Sequence, residues 1–178
     1  DASVVNDMEK LHLYLVRHCE SLGNHENIFQ GQLDLDISAT GEKQLALLAL
    51  RFRNIPIDAV YSSPLMRAYK TAEAVDLYHS LPIIKLPELM EVDVGALSGM
   101  KLDKAFADYP VFAEKWQNSP QNCIFPEGET TAEVYDRAKK ALARVKADCI
   151  GKTAVITSHG FLLRCMACEI LEHDIERL

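Results

Sequence analysis

Residues 11–16 (LHLYLV) form a nearly continuous apolar run. Such a run predicts a strand covered on both faces, as in a parallel sheet, and it leads straight into Arg17 and His18. Ser38 can cap a helix predicted over residues 39–54, where Leu45, Leu48, Ala49 and Phe52 recur at i, i+3, i+4 and i+7. A short strand over residues 58–62 follows Pro56. Pro64 then opens a helix whose buried face carries Leu65, Ala68, Ala72 and Val75. Residues 81–86 read as a third strand, and residues 90–100, with two glycines and polar interruptions, as a loop. Two short helices divided at Pro110 are predicted over residues 101–117, as an insertion above the sheet. A loop over residues 118–129 precedes a helix capped by Thr130 or Thr131 and reaching about residue 147, with Val134, Ala138, Ala141, Leu142 and Val145 on one side. Residues 153–157 (TAVIT) make the fourth strand, and Ser158, His159 and Gly160 open the last helix, residues 161–172.

This alternation predicts an α/β fold: three α/β/α layers around a mainly parallel central sheet, with a small helical insertion over the active site. Ligands of such folds bind beyond the carboxyl ends of the strands. His18, His159, the Arg67 segment and the Glu91 loop all fall there. At 178 residues one domain, residues 8–178, suffices, with residues 1–7 set aside as a tag remnant or frayed end.

Composition narrows the chemistry. A net charge of −7 gives no long-range attraction for nucleic acid or an anionic membrane, so an anionic ligand has to be held locally. No secretory signal or membrane-spanning run is seen, and a cytoplasmic location is the expectation. The five cysteines are odd in number and scattered, which argues for reduced thiols. Cys165 and Cys168 lie within an apolar helical pattern and read as core rather than as a metal or redox pair.

Arg17-His18-Cys19-Glu20-Ser21-Leu22-Gly23-Asn24 resembles the R-H-G-[EQ]-[ST]-x-x-N signature of the histidine phosphatase superfamily, the phosphoglycerate mutase-like proteins. The resemblance continues through Phe29-Gln30-Gly31, Asp36-Ile37-Ser38 with Gly41, Ser62-Ser63-Pro64-Leu65-Met66-Arg67-Ala68, Leu89-Met90-Glu91 and Ser158-His159-Gly160. It implies that His18 is the nucleophile, oriented by a hydrogen bond on its other ring nitrogen, for which a backbone carbonyl of the following loop is a candidate. Arg17, Arg67 and His159 would surround the transferring phosphoryl group. Asn24 and the Gly160 N–H would add donors, and Gln30 and Gly31 would belong to the phosphate-binding set. Glu91 would protonate the leaving alkoxide and then deprotonate water, which asks for a raised carboxyl pKa. The resemblance implies neither cofactor nor metal.

Taken singly, these residues have plainer readings. Arg67 could be a solvated helix residue or a partner of Glu73, Glu91 an exposed carboxylate, and His159 a satisfied core histidine. Ser21 and Ser63 are open between site support and local turn bonds. His12, His25, His79 and His173 read as structural or surface residues, with His25 a candidate for the mouth of the site. Three departures stand out. Cys19 replaces the usual glycine beside the nucleophile and suggests oxidative sensitivity. Glu127 replaces the first glycine of a P-G-G-E-[ST] stretch, residues 126–130, where Glu129 is a candidate substrate contact. Relatives generally continue past residues 172–178 into another strand.

The expected function is hydrolysis of a small phosphorylated metabolite through a phosphohistidine. Residues 126–130 resemble those of the smaller phosphatases of the superfamily, such as α-ribazole phosphatase. The alternatives are a cofactor-dependent phosphoglycerate mutase and a non-catalytic phosphate-binding regulatory module. The expected partner is a small phosphomonoester and neither nucleic acid nor membrane, with homodimer formation open. A metal hydrolase using His18, Cys19 and His159 lacks the usual ligand spacings.

Overall fold

The computed structural model describes residues 10–172. The expectations for residues 1–7, for His173 and for the end of the chain lie outside them. Four strands, β1 (His12–Arg17), β2 (Ala59–Ser62), β3 (Ile83–Lys85) and β4 (Thr153–Ser158), form one all-parallel sheet in the order β1-β4-β2-β3. The helices are α1 (Leu22–His25), α2 (Ala39–Phe52), α3 (Met66–Asp76), α4 (Leu102–Asp108), α5 (Pro110–Asn118), α6 (Thr131–Cys149) and α7 (Gly160–Ile170).

The three layers follow from the period-2 alternation of strand side chains. In β4, Ala154 and Ile156 join the larger apolar cluster with Val134, Leu142, Leu162 and Met166 of α6 and α7. Val155 between them points the other way, into a cluster with Phe52, Ala72 and Val75 of α2 and α3. Tyr61 and Val60 of β2 divide in the same manner. Each inward side chain buries apolar area at roughly 25 cal/mol per Å², so both helix layers are held to the sheet by the same strands. Cys165 and Cys168 are buried here, and all five cysteines are free thiols.

Several boundaries move from the predicted ones for local reasons. Pro64 and Leu65 stay outside α3, because Leu65 is extended (ψ 136°) and the Asp34 carboxylate accepts the Met66 N–H at 2.6 Å, capping the helix from another loop. β3 keeps only three residues, since the Leu81 N–H is taken by the Asp76 side chain at 2.8 Å. The short α1 was not predicted. It is fixed by a capping box in which Ser21 and Asn24 bond each other's backbone N–H groups.

The insertion divides at Pro110 as expected, and its aromatic rings tie it down. Phe29 meets Phe106 at 5.8 Å between ring centroids, Phe112 meets Trp116 at 5.9 Å, and Trp116 meets Phe161 of α7 at 5.4 Å. Two helices too short to stand alone thereby become a fixed wall beside the carboxyl edge of the sheet. Among the described residues no helix is long and apolar enough to cross a membrane.

Candidate active site

Parallel pairing of β1, β4 and β2 sets Arg17 opposite Ser158 and Ser62 opposite Thr157, so three strands end side by side. The ladder runs one residue further: the His18 N–H donates to the Ser158 carbonyl and the Ser63 N–H to the Thr157 carbonyl, both at 2.9 Å. Residues far apart in sequence are thus brought together by backbone geometry alone.

His18 is buried, and its Nδ1 lies 2.6 Å from the Cys19 carbonyl oxygen. A carbonyl only accepts, so Nδ1 carries the proton and Nε2 keeps its lone pair. Burial first, then the Arg67 guanidinium, pushes the imidazole pKa down to about 4; Arg17 adds to this and the Cys19 carbonyl opposes it. The ring is therefore neutral at pH 7, as a nucleophile must be. Cys19 itself adopts no left-handed backbone and donates its N–H to Thr71 Oγ1 at 3.1 Å. A side chain is tolerated there. Burial raises its thiol pKa, which lowers its thiolate fraction.

Arg67 enters from the first turn of α3, almost fully buried. Its Nη1 donates to the Leu33 carbonyl and its Nη2 to the Gly31 carbonyl, both at 2.7 Å, rather than to Glu73. Gly31 can present that carbonyl because it adopts φ +49°, and a side chain there would collide with Val94 and the Val92 carbonyl. His159 is fully buried with its ring centroid 5.1 Å from that of His18. Its Nε2 lies 2.8 Å from Ser63 Oγ, which accepts the Leu65 N–H and so has its own proton to give. That assignment puts the ring proton on Nδ1. Burial, followed by the nearby Arg67 charge, holds the His159 pKa well below normal, so it is a neutral donor.

Among the described residues two buried side-chain nitrogens have no hydrogen-bond partner: Nε of Arg67 and Nδ1 of His159. Both belong to the ring of residues around His18. A buried orphan donor costs about 1–3 kcal/mol, and two together mark a place that an acceptor-rich ligand completes.

Glu91 stands across the cavity on a loop. Its Oε1 accepts the Val92 N–H at 3.0 Å and the Leu162 N–H at 3.2 Å, while Oε2 accepts the Phe161 N–H at 3.2 Å. His159, at the N-cap of α7, makes no side-chain cap bond, so this carboxyl caps the helix in its place. Burial raises the Glu91 pKa, against those three N–H groups and Arg67, which lower it. Oε2, with one partner where Oε1 has two, is the oxygen left to carry a proton.

Sequence reasoning missed what holds this loop. Arg137 of α6 donates from Nη1 to the Glu88 and Met90 carbonyls at 2.9 and 3.0 Å, and from Nη2 to the Glu91 carbonyl at 3.3 Å. Its remaining donors grip both oxygens of Glu129 at 2.7 and 2.8 Å. Glu129 also accepts the Asp93 N–H at 2.8 Å. Glu129 is therefore a structural partner, not the substrate contact suggested from sequence.

A cavity of about 510 Å³ opens in front of these groups, lined by Arg17, His18, Asn24, Gln30, Gly31, Arg67, Glu91 and Gly160 among others. His159 does not line this surface but borders it beside His18, and His25 is outside it. Asn24 Oδ1 accepts from the Ser21 N–H and O–H at 3.1 and 2.8 Å, which leaves its NH₂ for the cavity. Ser21 Oγ also lies 2.7 Å from Gln30 Oε1. Arg17 is exposed, and its guanidinium passes alongside Gly160. The far wall, Trp116, Phe125, Phe161, Val92 and Val94, and Arg164 above it were not foreseen, because apolar positions and a lone arginine carry no motif.

Comparison with known proteins gives a consistent picture. The profile of the histidine phosphatase superfamily (branch 1) matches residues 13–178. Phosphoserine phosphatase 1 of Hydrogenobacter thermophilus is 38% identical over 165 residues, 93% of this chain and 78% of that protein. The probable phosphoglycerate mutase GpmB of Escherichia fergusonii is 32% identical over 161 residues, 90% of this chain and 75% of that protein. In structure, Bacillus stearothermophilus YhfR superposes with a TM-score of 0.89 at 26% identity, covering 94% of this chain and 83% of that one.

Proposed function

We propose that this chain, which belongs to the histidine phosphatase superfamily and is a phosphatase, hydrolyses phosphomonoesters in two steps through a phosphohistidine on His18. The observation that carries this reading is the His18–Cys19 bond, because it leaves Nε2 unprotonated at the cavity. In the first step Nε2 forms a bond to phosphorus as the bond from phosphorus to the ester oxygen breaks. Glu91 Oε2 gives its proton to the departing alkoxide. In the second step Glu91 takes a proton from water, whose oxygen attacks phosphorus; the P–N bond breaks and inorganic phosphate leaves. Arg17 and Arg67, with Asn24, His159 Nδ1 and the Gly160 N–H, hold the equatorial oxygens, where charge spreads in the transition state. The orphan Arg67 Nε and His159 Nδ1 gain partners as the phosphoryl group arrives.

Hydrolysis rather than return of the phosphoryl group to a second hydroxyl is favoured by the short insertion, which walls one side of the cavity and leaves Arg17 exposed to water. The substrate is a small phosphorylated metabolite, turned over in the cytoplasm without a metal. Incubation with 3-phosphoglycerate, with and without a bisphosphate primer, tests the choice. Free phosphate in both reactions is the expected result, and primer-dependent isomer formation as the main product overturns it. EDTA should leave the rate unchanged.

A further inference from the structure

Among the described residues three arginines line the cavity, Arg17, Arg67 and Arg164, against one carboxyl, Glu91, whose oxygens are already engaged by backbone N–H groups. In a chain of net charge −7 this is a local excess of positive charge. Arg17 and Arg67 account for a phosphomonoester dianion. Arg164 is left over: it is exposed, and its side chain makes no hydrogen bond or ion pair with the described residues.

Its position gives it a use. Gly160 and Arg164 are four residues apart on α7 and share a face, just over one turn or about 6 Å along the axis. Helical side chains lean toward the amino end, so Arg164 reaches back over the Gly160 turn, beside which the Arg17 guanidinium lies. A solvated arginine needs no such neighbours. Here the rings of Trp116 and Phe161, 5.4 Å apart, supply an apolar flank against which a carbon skeleton can lie.

We propose that Arg164 forms a subsite for a second anionic group of the substrate. The preferred substrates are then small phosphomonoesters that carry a carboxylate or a second phosphate, a few bonded atoms from the reacting phosphorus. This rests on the hydrolytic reading above, whose reacting phosphoryl group fixes the other end of the substrate.

Two matched pairs test it. In 3-phosphoglycerate against glycerol 3-phosphate a carboxylate is replaced by a hydroxymethyl group; in fructose 1,6-bisphosphate against fructose 6-phosphate a second phosphate is removed. In at least one pair the anion-bearing ester should have a kcat/KM at least tenfold higher, and the pair that shows it identifies the group. Arg164→Gln should bring that ratio to within threefold, and Arg164→Lys should keep part of it. A wild-type ratio within threefold in both pairs, a ratio that survives Arg164→Gln, or an equal loss on both members of a pair overturns the proposal. Calorimetric binding of the same esters to His18→Ala separates the two readings. If the preference and its loss appear in binding while the wild type releases no phosphate, the subsite stands and the hydrolytic reading fails. If the preference is absent from binding and from turnover, the subsite fails alone.

Discussion

Arg67 and Arg137 both gather backbone carbonyls of loops at the carboxyl edge of the sheet, yet they end in opposite states. Arg137 has every donor engaged, by three carbonyls and both oxygens of Glu129. Arg67 donates to two carbonyls and keeps a buried Nε without a partner, next to a histidine nitrogen in the same condition. Burial also disfavours its charge and lowers its pKa. A satisfied guanidinium is a fastening, whereas an unsatisfied one holds binding capacity in reserve for an anion. Glu91 lies at the seam between them: Arg137 fixes its loop, and Arg67 faces its carboxyl across the cavity.

Substitutions can break or sharpen this contrast. The largest effect is expected from Arg67→Met, which should lower kcat/KM for any phosphomonoester by about 10³-fold, the scale of losing a preorganised charged donor. Its melting temperature should hold or rise, because an underpaired buried charge is removed. A clear fall in stability with little loss of activity would make Arg67 a second fastening.

Glu91→Gln follows, with about a 10²-fold loss on alkyl phosphates and only a few-fold loss on aryl phosphates, whose leaving groups need no proton. Equal losses would remove the acid role. Arg137→Met should show the reverse of Arg67→Met: about 3 kcal/mol of stability lost in denaturant unfolding, since the Glu129 carboxylate is left unpaired, and at most a tenfold loss of kcat from a loosened Glu91 loop. A larger loss of activity than of stability would move Arg137 into the site.

The gentlest probe is pH. The His18 pKa is depressed to about 4, so protonation of Nε2 should cost about tenfold in kcat/KM per unit below that value. Glu91 is raised above the usual carboxylate range and must be protonated to act, so alkyl-ester turnover should fall again as pH rises through its pKa. Aryl phosphates should keep the acid limb and lose most of the other.

How much of this could be read in the sequence depends on which kind of interaction fixes a residue. The layered sheet was legible because LHLYLV and TAVIT are apolar runs whose ends are set by period and flanking residues, and Arg17, His18 and His159 sit at those ends by backbone continuation; only TAVIT is covered on both faces, however, since β1 lies at the edge of the described sheet and leaves Tyr14 exposed. Arg67 was legible as a site candidate from its motif, but not its grip on Gly31 and Leu33, which needs a loop folded over α3. Arg137 was invisible for the same reason. On α6 it looks like the exposed Lys140, and its value comes from a loop nearly fifty positions earlier in the chain. The cap that Glu91 places on α7 is likewise a contact between distant segments, and no local rule predicts it.

The nucleophile itself is open to direct trial. Rapid-quench mixing of excess enzyme with a ³²P-labelled phosphomonoester, followed by alkaline digestion, should yield one acid-labile, base-stable label on the peptide containing His18, formed faster than phosphate is released and absent from His18→Ala. Phosphate released with no such label, or with the label on another residue, would contradict the phosphohistidine route.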